Sequence, residues 1–200
     1  MSRLKTKIQI PSISQTASHV IIGDVHGKVN DYLKILKKCG TKYNTIQVGD
    51  FGFKDSHEWH LKNIDNARNK INFGNHDDYT YLNHAHSLKN YSFANGIFTV
   101  RGALSIDRWK RTEGVDWFLN EELTYSEMIE ALNVYCDIKP EIMVTHDCPH
   151  EVREHLFNIK DKSTTANGLQ AMFEIHQPRL WIFGHHHVSK NEVINGTRFI

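Results

Sequence analysis

The sequence predicts an α/β layered fold, on three observations. Short apolar runs rich in Ile, Val and aromatic residues recur along the chain. Helical periodicities lie between several of them. Most of the runs stop at a Gly or a polar residue. With 200 residues, the chain suits one domain spanning 1–200, with a surface loop at about 105–123. A chain of this size buries roughly 70% of the surface its unfolded form would expose, so its core needs no staples.

Taken in order, His19–Ile22 reads as the first buried strand. A helix follows over Asn30–Cys39, where Leu33 and Leu36 share a face with Val29 and Tyr32 and Gly40 supplies a stop. Thr45–Val48, Lys70–Phe73 and Ile97–Val100 are the next strands. Ser105–Leu123, with mixed charges and two tryptophans, reads as a long surface loop. Thr124, with Glu127 three residues on, forms a capping box that starts a helix to Cys136. Its apolar stripe of Met128, Ile129, Leu132 and Tyr135 belongs to the core. Glu141–Val144 is a strand, Pro149 opens a short helix through Phe157, and a further helix covers Thr165–His176 before Pro178. Leu180–Phe183 is the last buried run. The stretches Ile97–Leu104 and Val193–Ile200, the latter with an Asn195-Gly196 turn signal, suggest antiparallel strand pairs.

Composition narrows the functional classes. The net charge is +1 with His neutral, which argues against a strongly basic nucleic-acid surface. Cys39, Cys136 and Cys148 are widely spaced and read as reduced thiols. Met1–Ser18 holds no apolar run suited to a signal peptide, and no stretch approaches the ~20 apolar residues of a membrane span. The expectation is a soluble, cytoplasmic protein without a membrane partner. Histidine is unusually frequent, at 14 residues, and it is the commonest metal ligand among side chains.

The placement of these histidines carries the chemistry. Five strand ends run into Gly23-Asp24-Val25-His26-Gly27, Gly49-Asp50, Gly74-Asn75-His76-Asp77, Thr145-His146-Asp147 and Gly184-His185-His186-His187. In α/β sheets ligands bind at the carboxyl ends of strands, so these five ends converge on one point. Each motif alone is weak: Asp-x-His and Gly-Asn-His-Asp are compatible with ordinary turns. Residues adjacent on a strand point to opposite faces, so His185 and His187 share a site while His186 does not. Mixed oxygen and nitrogen donors suit Mn²⁺, with Fe or Zn²⁺ as alternatives, and suit Ca²⁺ poorly. A water on such a metal has its pKa lowered from 15.7 to about 7.

This set of motifs, spanning 19 to 188, resembles the calcineurin-like metallophosphoesterase superfamily. The resemblance implies a two-sheet β-sandwich of mixed strands flanked by helices, in four αββα layers. It implies a hydrolase with two divalent metal ions, in which a hydroxide shared by the metals attacks a phosphate ester, either a monoester or a diester. Asp24, His26 and His187 look like ligands of the first metal, and Asn75, His146 and His185 of the second, with Asp50 the bridge. His76 looks like the proton donor to the leaving group, with Asp77 orienting its imidazole. Phosphoprotein phosphatases of the superfamily continue Gly-Asp into a further Asp-Arg-Gly. Here Phe51-Gly52-Phe53-Lys54 follows, which argues against a phosphoprotein substrate.

A small phosphorylated compound or nucleotide is therefore the expected substrate. A nuclease is the alternative, weakened by the shortness of the basic clusters at Lys34–Lys38 and Arg108–Arg111. A metal-free scaffold would have lost ligand positions, and all seven are present. One of Arg101, Arg108, Lys110 and Arg111 is expected to bind phosphate.

Overall fold

The structure is a computed structural model that describes residues 18–53, 57 and 60–200. The expectation for Met1–Ser18 lies almost wholly outside the described residues. Nine strands form two sheets among the described residues. The smaller sheet holds β1 (His19–Ile22), β2 (Asn44–Gln47) and β3 (Asn69–Ile71) in that order, all parallel. The larger has the order β4-β5-β6-β7-β9-β8, from β4 (Tyr91–Ala94), β5 (Ile97–Val100), β6 (Ile142–Thr145), β7 (Leu180–Ile182), β8 (Glu192–Ile194) and β9 (Thr197–Phe199). Its central strands β5, β6, β7 and β9 are parallel, and an antiparallel hairpin closes each edge.

Period-two alternation sorts the side chains into layers. Ile21, Ile46, Val48, Ile97, Val144 and Ile182 lie between the sheets. On the outer face of the small sheet, Ile22 and Ile71 pack against Val29, Tyr32 and Leu36 of α1 (Val29–Cys39). On the outer face of the large sheet, Phe98, Met143, Trp181 and Phe199 pack under α2 (Tyr125–Ile138), α3 (His150–Phe157) and α4 (Thr164–Ile175). The result is the expected four layers, helix, sheet, sheet, helix.

The local signals account for most boundaries. Gly40 caps α1 at φ 55°, a left-handed value that glycine adopts at little cost. The capping box of α2 is formed, with the Thr124 hydroxyl accepting from Glu127 N and the Glu127 carboxylate accepting from Thr124 N. Its buried face differs from the expectation: Ala131 joins Met128 and Tyr135, whereas Ile129 is exposed. Both stretches expected in antiparallel pairs form them, although the first ends short of Leu104. β5 ends at Val100 and pairs with β4 across Asn95-Gly96, while β8 and β9 form their own hairpin across Asn195-Gly196. Both turn dipeptides have two positive φ values, the signature of tight hairpins. The segment 105–123 holds one short 3-10 turn at Arg108–Lys110, and it is pinned at both ends by the buried Ser105, Glu121 and Leu123. Among the described residues no helix is long and apolar enough to cross a membrane.

Candidate metal centre

Because β1, β2 and β3 run parallel, as do β6 and β7, their carboxyl ends meet along one rim of the sandwich. The loop after β1 brings Asp24 and His26, that after β2 Asp50, and that after β3 Asn75. His146 follows β6, while His185 and His187 follow β7. All seven predicted ligands therefore gather at one place.

They form two donor groups that share Asp50. In the first, Asp24, His26, Asp50 and His187 offer ligand atoms within 4.8 Å of one another. The Nε2 atoms of His26 and His187 are 3.0 Å apart, and His187 Nε2 is 3.1 Å from Asp24 Oδ2. The second holds Asp50, His146 and His185. The Asn75 Oδ1 lies 3.1 Å from His146 Nε2, which places the amide oxygen beside this group. Asp50 Oδ2 faces His26 at 3.8 Å, and its Oδ1 faces His146 at 3.3 Å. Among the described residues no Lys or Arg pairs with Asp24 or Asp50. Buried carboxylates need compensating charge, and the donor set suits divalent cations of the Mn²⁺, Fe²⁺ or Zn²⁺ type.

The profile of the calcineurin-like phosphoesterase family matches residues 19–189. The chain belongs to that family. Solved structures similar to it include the phosphopantetheinyl hydrolase of Mycobacterium tuberculosis, with TM-score 0.50, 12% identity, 92% of this chain covered and 89% of that one. A Thermotoga maritima protein solved by NMR aligns with TM-score 0.40 and 18% identity, over 90% of this chain and 80% of that one. No curated protein sequence matches the chain. The likeness to the hydrolase concerns the fold alone; the family makes the chain a metal-dependent phosphoester hydrolase.

In this phosphoesterase, backbone geometry shapes the site as much as side chains do. His26, Asp50, His185 and His187 have φ of 46°, 56°, 70° and 52°. Left-handed backbone at residues other than glycine costs of order 1–3 kcal/mol each and persists where the surroundings enforce it. The glycines beside the ligands are steric requirements. A Cβ on Gly74 would collide with Asp50 Oδ1 and His146 Nε2, and one on Gly184 with Asp24 Oδ1. Gln47, fully buried on β2, ties two ligand loops together by donating to the carbonyls of Gly23 and Gly49 and accepting from Gly49 N.

Electrostatics follow the same division. Burial holds the His185 imidazole down at about 3 and lowers that of His26, leaving both neutral with lone pairs to offer. Burial works against charge on His146 too, but Asp50 outweighs it and holds the imidazole up at about 9. Burial also works against charge on Asp50, and His146 overcomes it, so this carboxyl lies well below the usual range. The proton that His146 shares with Asp50 is one a metal would displace.

Two expectations are corrected. Asp77 does not orient His76. Its carboxylate accepts from Gly52 N at 2.6 Å and Gly74 N at 2.8 Å, bracing two ligand loops, and burial together with Asp50 pushes it up to about 7. A residue in a turn directs its side chain by its own backbone, and here that direction is into the protein. The His76 ring instead meets Arg111 Nη1 at 3.2 Å and the Asp116 carbonyl at 3.3 Å, both through Nδ1. The second correction concerns His186. Residues 184–187 are not a strand, so face alternation does not govern them. His186 does point away from both donor groups, but its ring is buried, 3.2 Å from Asp147 Oδ1 and stacked at 4.0 Å on Phe157.

Asp147, Cys148 and His186 themselves form a small donor cluster. Arg153 already gives the Asp147 carboxylate a cationic partner, with Nη1 3.4 Å from Oδ2, and the cluster braces the loops behind the two donor groups. Sequence inspection gave no sign of this brace, nor of Ser105 and Glu121. Asn75 Nδ2 donates to Ser105 Oγ at 3.0 Å, and that hydroxyl donates to Glu121 Oε2 at 2.6 Å. The chain of bonds fixes which end of the Asn75 amide faces His146. Its members are 30 and 16 residues apart, and no local spacing announces such pairs.

Proposed function

We propose that the chain hydrolyses small phosphate esters with two divalent cations, Mn²⁺ being preferred, bridged by Asp50. The observation that carries this reading is the split orientation of Asp50, one oxygen toward each donor group. Asp24, His26 and His187 would hold the first ion, and Asn75, His146 and His185 the second. When bound, such ions supply positive charge for the phosphate and water acidified to near neutral pH. The chain supplies the rest. Asp50 keeps its negative charge at any ordinary pH, so it remains a ligand to both positions. His76 is tethered by its backbone N–H to Asp50 Oδ1 at 2.8 Å, and its ring centroid lies 5.6 Å from that of His26. The imidazole thus stands beside the metal positions without joining them, suited to giving the leaving oxygen a proton. Arg111, whose Nη1 donates to Nδ1, sets its orientation in place of Asp77, and the Asp116 carbonyl accepts from the same Nη1. A small phosphorylated compound or nucleotide is the substrate class, and the cytoplasm is the compartment we assign.

The test is metal analysis together with turnover of a panel of phosphate monoesters and diesters by protein loaded with Mn²⁺. The reading expects two ions per chain and metal-dependent release of phosphate or alcohol. One ion per chain, or no hydrolysis of any ester, would overturn it.

A further inference from the structure

Four basic residues follow β5, and the structure separates them. Arg101 is buried and committed: its Nε donates to Asn90 Oδ1, its Nη1 to the Asn120 carbonyl, and its guanidinium lies 4.5 Å over the Tyr79 ring. Arg108 and Lys110 are exposed on the 3-10 turn, and Lys110 leans toward Trp109. Arg111 alone enters the cleft of about 310 Å³ whose wall includes Asn75, His76, His185 and His187.

The contacts of Arg111 hold its fork at the cleft beside His76. Asp107 grips one edge of its fork, with Nε to Oδ1 at 2.6 Å and Nη2 to Oδ2 at 2.9 Å. The remaining nitrogen, Nη1, meets His76 Nδ1 and the Asp116 carbonyl at 3.2 and 3.4 Å. A guanidinium has five N–H donors and no acceptor; Asp107 takes one on Nε and one on Nη2, and a phosphate in the cleft would take the second on Nη2 and displace the longer contacts of Nη1. A cation placed beside a centre built to hold two divalent cations is repelled unless an anion comes between them. Asp107 removes part of that cost and fixes the direction of the fork.

Resting on the two-metal reading above, we propose that Arg111 is the phosphate-anchoring residue of this chain and makes its cleft selective for phosphate monoesters over diesters. The selectivity follows from counting oxygens. A monoester has three non-bridging oxygens and carries up to two negative charges. Ions held at the two donor groups would take two of those oxygens, and the third would be left for the guanidinium. A diester has only two non-bridging oxygens and one charge, so nothing is left for Arg111 to hold.

The experiment measures binding of inorganic phosphate by calorimetry to the Mn²⁺-loaded protein, for wild type, Arg111→Ala and Arg111→Lys. Metal content is checked in each, and kcat/KM is measured for p-nitrophenyl phosphate and bis-p-nitrophenyl phosphate. Arg111→Ala is expected to keep wild-type metal content and weaken phosphate binding about 10- to 100-fold, the worth of charged hydrogen bonds. The monoester kcat/KM should fall by a similar factor and the diester value much less; the leaving group of both esters is nitrophenolate, which needs no proton, so loss of the Arg111 contact to His76 weighs little on either. Arg111→Lys, with the charge but without the fork, should restore binding only in part. Phosphate affinity in Arg111→Ala equal to wild type would overturn the proposal, as would equal losses on both esters. If wild type turns over no ester yet binds phosphate through Arg111, the anchor stands and the hydrolytic reading fails. If it turns over esters and Arg111→Ala changes nothing, the reverse holds.

Discussion

Asp50 is surrounded by groups that all address its carboxylate: His146 and the His76 N–H on Oδ1, and His26 on Oδ2. Replacing it with Asn keeps the shape and removes the charge. Asp50→Asn should therefore lose most of both ions and nearly all activity, which metal analysis of the purified variant would read; two ions with normal turnover would remove Asp50 from the bridge. His76 makes the opposite case. His76→Ala should retain both ions and lose roughly 10²–10⁴-fold in kcat, the usual worth of general acid help. The loss should shrink on p-nitrophenyl esters, whose leaving group needs no proton, and an equal loss on an alkyl ester would argue against proton donation. Behind these residues, Ser105→Ala or Glu121→Gln should weaken only the ion that Asn75 helps hold. About 10- to 100-fold in affinity is the common cost of removing a group that orients a ligand, and metal titration showing both ions equally weakened would reject the orienting chain. The seven positions that gather at the rim are legible in the sequence because each lies in the loop that follows a strand. Ser105, Glu121 and Gln47 are not, because their bonds join distant segments through the interior.

At the scale of elements, the tract after β7 is the instructive one. His185 and His187 belong to different donor groups, and both have left-handed backbone. Between them His186 is locked by Asp147 and Phe157. The lock holds the two strained neighbours in place, so the apparent spectator of the tract supports both donor groups. His186→Ala should cost metal at both positions, whereas Asn or Gln, able to keep a bond to Asp147, should lose less. Unchanged metal affinity in His186→Ala would show the brace to be dispensable. The alternation argument assigned His186 correctly to the outside of the donor groups, but for a reason that applies to strands, and β7 ends at Ile182. Capping chemistry was a safer guide: the Thr124 box, the Gly40 stop and the Asn195-Gly196 turn act through neighbours in sequence, and the structure contains all three. The β4–β5 hairpin carries the same signal in Asn95-Gly96, directly ahead of the apolar run that begins at Ile97.

For the whole molecule, the decisive fact is that the donors come from both sheets. Asp24, His26, Asp50 and Asn75 ride on the small sheet, and His146, His185 and His187 on the large one. Each donor group takes members from both. Metal that binds only the folded chain stabilises it by mass action, about 2.7 kcal/mol per site at a concentration 100-fold above Kd. Adding Mn²⁺ to chelator-treated protein should raise Tm by roughly 5–10 °C per site on the scaling for domains of this length, and calorimetry showing no shift would mean that no ion links the sheets. The layer of aliphatic side chains between the sheets then acquires a second role. Ile46, Val48, Ile97 and Val144 form the apolar layer between the sheets, and their girth sets the gap across which the two halves of each donor group face one another. The sandwich works as a caliper, with its jaws at the rim and its setting screw in the oily interior. Trimming Val144 to Ala would narrow the jaws, and the chain's preference between a smaller and a larger ion would shift without any change to the atoms that hold it.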